Sequence, residues 1–162
     1  MAAPDITHRA GGDERRAVNR PVVAVPWSLN GPPARSRWRG LAAFGAIGEA
    51  VAHIPVIDMH LTEAPYIGIG FILLTIAGLG LGGLLLVADT PRVWGATALA
   101  GALALAGYAA SRTVGLPQIR DDIDNWTEPL GIVAIATEAL MLACAIAYAL
   151  DRRHGRVPAA SR

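Results

Sequence analysis

A chain of 162 residues that is 53% hydrophobic, with a mean hydropathy of +0.41, is too apolar for an ordinary soluble domain of its size. The formal net charge of +1 says little, because nearly all charges lie before residue 40, after residue 150 or in short segments between apolar runs. Cys144 is the single cysteine, which excludes an intramolecular disulfide and any CxxC redox or zinc motif, and so disfavours a disulfide-exchanging membrane oxidoreductase.

Residues 1–36 are rich in Arg, Pro and Gly and lack a helical period, which predicts a disordered cytoplasmic arm. Its fragment PVVAVPW is too short and too proline-broken for a signal-peptide core. The arm reads as a topology anchor, and no nucleic-acid partner is expected for it. Arg35, Arg37 and Arg39 are expected to meet anionic headgroups, at about 1 kcal/mol each near a charged surface.

A bilayer core about 30 Å thick requires about 20 mainly apolar residues in a helix. Four segments meet that length, at about 38–57, 65–88, 92–111 and 130–150. The second, YIGIGFILLTIAGLGLGGLLLVA, carries no charge. The third opens on Asp89-Thr90-Pro91, a polar cap followed by proline at a first helical position, and the fourth runs from Glu128-Pro129 to Asp151-Arg152-Arg153. The expected fold is all-α: a polytopic membrane protein whose four transmembrane helices form an antiparallel bundle over residues 37–151, followed by a basic tail at 152–162.

Arginine sets the expected orientation. All 14 basic residues are arginines; seven lie at or before the start of the first span, Arg92 in the second loop and four after the last span. Twelve are cytoplasmic if both termini face inward, leaving Arg112 and Arg120 outside, so the positive-inside rule places the chain in the cell (inner) membrane as N-in/C-in. In that frame Trp38, Trp94 and Tyr148 form an inner aromatic belt, with Tyr66, Tyr108 and Trp126 at or near the outer one. Small residues form stripes for close helix packing: Gly45 and Ala52 beside Glu49, Gly78 and Gly82 as a GxxxG, Thr97, Gly101 and Ala104, and Gly131, Ala134 and Ala145 around Glu138.

The most informative polar stretch, HIPVIDMHLTEAP at 53–65, falls at the outer end of the first span and in the first outer loop. With the second outer loop, SRTVGLPQIRDDIDNWTEP, it gives that face six acidic residues against two arginines, which suits cations. Glu49 lies eight residues before the outer end of span one, and Glu138 eight residues into span four, so both sit about 12 Å below the same interface. Acidic residues at such depth cost roughly 2.5–3.5 kcal/mol even on lenient insertion scales and normally face a bundle interior or aqueous cavity. Glu49 and His53 share a helix face at i and i+4, and Pro55 is expected to weaken that helix.

These residues predict an outward-opening funnel, with Glu49, His53 and Glu138 at its neck and His60 and Glu63 toward its mouth. Carboxylate and imidazole ligands suit a divalent zinc, manganese or iron ion better than copper(I). The same groups could relay protons, since histidine titrates near neutrality. The structural alternative has Glu49 and Glu138 share a proton or pair with Arg112, with His53 bonded to a nearby carbonyl or carboxylate. Met141 and Cys144 follow Glu138 at i+3 and i+6, where core packing outweighs soft-metal chemistry.

SRTVGLPQIRDD departs from the lipid-phosphatase motif it superficially matches, because Gln118 stands at the required histidine. The histidine boxes of membrane desaturases and a GxSx serine-protease signature are absent. Small multidrug carriers also have four spans and a glutamate in the first, without further match. HIPVIDMHLTEAPYIG with SRTVGLP, DD and NWTEPLG resembles small, uncharacterised four-span membrane proteins of GC-rich actinobacteria, over roughly residues 40–150. That resemblance implies that the outer segments belong together, and it carries over no chemistry.

The functional expectation is a cation-handling or proton-coupled membrane component; the alternative is a non-transporting accessory or assembly subunit packed against a partner membrane protein. For transport, four spans are few, which points to a homodimer or a larger partner. An intramembrane enzyme is the weakest reading, because no nucleophile–base pair or complete metal motif is visible.

Overall fold

The computed structural model describes residues 33–155. Most of the arm expected at 1–36 and of the tail expected at 152–162 lies outside the described residues. The described chain forms α1 (Arg39–His53), α2 (Ile57–Glu63), α3 (Pro65–Val87), α4 (Pro91–Thr113) and α5 (Pro129–Arg153), with no strand among them. Short 3-10 turns occupy Ile54–Val56 and Arg120–Asp122. Four helical units, with α1 and α2 counted as one, are long and apolar enough to cross a membrane: Arg39–Glu63, Pro65–Val87, Pro91–Thr113 and Pro129–Arg153.

The first unit differs from expectation in an instructive way. The stretch HIPVIDMHLTEAP is helical up to Glu63, where a loop is expected beyond residue 57. Pro55 cannot donate to the ladder, and the chain answers with one 3-10 turn before resuming as α2. Helix starts elsewhere follow their sequence signals: Thr90 accepts from the Val93 amide, and the Glu128 carboxylate accepts from the Leu130 and Gly131 amides. Prolines occupy the first turn of α3, α4 and α5, where a missing amide costs no hydrogen bond.

α1 packs along both α3 and α5, and α4 packs on α5, whereas α3 and α4 touch each other far less. The bundle is therefore ordered α3–α1–α5–α4, with its weakest seam between α3 and α4. Glycines permit the tight seams. A Cβ at Gly78 would lie 2.6 Å from the Ala46 carbonyl oxygen of α1, and one at Gly45 would lie 2.9 Å from the Thr137 carbonyl of α5. Outward faces carry Phe44, Val51, Ile69, Ile76 and Ile146, all more than half exposed and suited to lipid.

One end of the bundle gathers the start of α1, the α3–α4 turn and the end of α5. The carboxylate of Asp89 accepts from the Arg35 amide at 2.8 Å and the Ser36 amide at 2.7 Å. Asp151 accepts from Trp38 Nε1 at 3.0 Å and pairs with Arg37 at 3.1 Å. Trp94 and Tyr148, expected in an interfacial belt, are instead buried and stacked on one another at 4.5 Å. They share a hydrophobic core with Ala42, Leu85 and Cys144.

Candidate functional site

Glu49 and His53 project from successive turns of α1, and Glu138 from the facing turn of α5. All three are buried, and one ligand atom from each lies within 4.8 Å of the others. Close approach of neighbouring helices makes this possible. Gly78 of α3 allows α1 to come so near that an added Cβ would meet Glu49 Oε2 at 3.4 Å, and Gly101 of α4 would place one 3.0 Å from the Glu138 carbonyl. The small-residue stripes thus build the site as well as the bundle.

The histidine is oriented. Its Nδ1–H donates to the Glu49 carbonyl oxygen at 2.8 Å, and a carbonyl can only accept. In the neutral ring this leaves the Nε2 lone pair free, and Nε2 faces Glu138 Oε1 at 3.9 Å. Backbone capture of one imidazole nitrogen is a common way of aiming the other at a metal. Phe71 of α3 holds the ring from the side, with centroids 4.7 Å apart.

Three of the four carboxylate oxygens lack partners, and only Glu138 Oε1 faces the His53 ring. Both oxygens of Glu49, and Oε2 of Glu138, are buried without a hydrogen bond. Nearby hydroxyls are directed to their own helices: Thr97 donates to the Val93 carbonyl and Thr137 to those of Val133 and Ala134. Arg112, a candidate counter-ion, instead binds Asp122 at 2.7 Å. Two buried acids without donors are costly unless a proton or a cation neutralises them.

The donor set fits a borderline divalent ion, with two carboxylates to balance its charge and one imidazole. Zinc bonds of about 2.0–2.2 Å correspond to ligand separations of about 3.4 Å in a tetrahedron, so side-chain shifts of about 1 Å close the group on an ion. Sulfur stays out of it. Cys144 belongs to the core at the other end, and Met141 packs against Gly45.

Of the five sequence-predicted ligands, the structure brings Glu49, His53 and Glu138 together and leaves His60 and Glu63 apart from them. His60 lies on α2, its Nδ1 donating to the Val56 carbonyl at 2.8 Å and its ring edge-on to Phe71. Glu63, exposed, ends that helix. Both nevertheless line the same cavity of about 1060 Å³ as His53 and Glu138. Tyr108, which residue counting sets near the level of His53, also lines it, as does Phe71, which no sequence signal marks because a residue count gives depth but not azimuth. No family model, curated protein or solved structure matches this chain.

Proposed function

We propose that this is a small cation-handling membrane protein whose Glu49, His53 and Glu138 hold a divalent ion inside the bundle. The observation that carries the reading is a buried pair of carboxylates, three of whose four oxygens lack a donor, beside an imidazole aimed by its backbone bond. His60 and Glu63 serve as entry groups along the shared cavity. The arginine distribution supports N-in/C-in topology in the cell membrane, which opens that cavity to the outside. Two protons would satisfy the same carboxylates, which makes proton coupling the second reading.

The test is elemental mass spectrometry on detergent-purified protein, prepared without chelator and exchanged against zinc, manganese or iron. Wild type should retain one ion per chain, and Glu49→Gln/His53→Ala should lose it while staying monodisperse. Absence of an ion from folded wild type after all three exchanges would overturn the metal reading and leave proton transfer or an accessory role.

A further inference from the structure

The cavity is more than an entrance to the ion site. It runs along the open seam between α3 and α4, and its polarity changes along its length. Toward the α3–α4 turn its walls are apolar, formed by Leu74, Leu81 and Leu84 on one side and Ala96, Ala100 and Leu103 on the other. Toward the opposite end the lining carries Glu63, Asp121, Asp122, Glu128 and Glu138, against a single arginine, Arg112. That arginine is already paired with Asp122.

Glu138 Oε2 is buried without a hydrogen bond, and Glu138 lines the cavity. Tyr108 lines it too, with the Arg112 guanidinium 4.7 Å over its ring. Glu138 is 2% exposed, so water does not replace the missing donor freely. A small turn of that side chain into the cavity would let a ligand's N–H donors satisfy it.

Size narrows the occupant. The cavity, at about 1060 Å³, lies just above the range of about 300–1,000 Å³ for small-molecule sites, which are mainly apolar with a few convergent polar groups.

We infer that the α3–α4 cleft binds a long-chain amphipath with a cationic, hydrogen-bond-donating head, its chain along the apolar walls and its head among the acidic residues at Glu138. Charge complementarity selects the head: with Asp122 matched by Arg112, four carboxyl groups (Glu63, Asp121, Glu128 and Glu138) stand against two histidines and disfavour an anionic one. This ligand shares Glu138 with the ion site, but the inference does not rest on a metal being bound there. Glu49 is absent from the cavity lining, which separates the two readings.

The test uses full-length protein in phosphatidylcholine nanodiscs with two photoreactive probes of equal chain length, a diazirine hexadecylamine and the matching hexadecanoate. Peptide mapping should place the amine on the cleft-facing residues of α3 and α4, about tenfold above the acid, a preference of ~1.4 kcal/mol. Ala100→Trp or Leu81→Trp, which fill the cleft from opposite walls, should abolish that labelling while zinc retention persists. Glu49→Gln should do the reverse, losing zinc and keeping the amine. Equal labelling by amine and acid, labelling that survives both tryptophan variants, or labelling confined to the outward-facing Ile69 and Ile76 would each overturn the inference. Should one tryptophan variant fail to fold, the other carries the occlusion test, and the amine-to-acid comparison on wild type stands independently.

Discussion

Asp89 and Glu49 are both buried acids in the same bundle, 1% and 0% exposed, and their surroundings could hardly differ more. Asp89 receives two backbone amides from the segment entering α1, an arrangement that leaves nothing for a ligand to supply. Glu49 receives no donor at either oxygen. A completed carboxylate clamps chain segments together, whereas an uncompleted one is held in place by packing and keeps its bonding capacity for something that arrives. On the proposed reading, the acid at one end of the molecule is structural and the one in its middle awaits a ligand.

The largest expected effect falls on the completed acid. Asp89→Ala should destabilise the protein by about 2–3 kcal/mol, because hydrogen bonds to a charged group are lost and buried amides are left without an acceptor. Unfolding in detergent should show this, with zinc retention unchanged; loss of zinc with an intact fold would break the contrast. A smaller loss, about 1–3 kcal/mol from overpacking, is expected for Gly78→Leu, whose side chain would collide with the Ala46 carbonyl. Because Gly78 also lets α1 approach beside Glu49, this variant should lose zinc along with stability.

Glu49→Gln should alter stability least, by less than about 1 kcal/mol without metal, since it removes a buried acid that no donor satisfies. Zinc retention should nevertheless fall to background. A drop in stability as large as that of Asp89→Ala would mean that Glu49 is part of a structural pair, and the distinction between the two regions would collapse.

The sequence made the bundle and the depth of its acids legible for simple reasons. Four runs of bilayer length with proline starts define the helices, and counting residues from their outer ends sets Glu49 and Glu138 at one level. Azimuth was less accessible, although Gly45, Gly78 and Gly101 marked the faces that would meet. Pro55 misleads, because a single 3-10 turn absorbs it and carries His60 and Glu63 along a helix rather than into a loop. The clamp at Asp89 was hidden because its donors are backbone amides, which no side-chain pattern announces. Trp94 and Tyr148 resemble interfacial anchors by position, but they stack on one another inside a core shared with Ala42, Leu85 and Cys144, a contact that position alone does not announce.

The most direct test of the central claim is X-ray absorption at the zinc edge on zinc-loaded wild-type protein. The account predicts an oxygen/nitrogen shell at about 2.0–2.2 Å, with outer-shell scattering from one imidazole. Sulfur at about 2.3 Å, scattering from two imidazoles, or zinc that washes off the folded protein would contradict it.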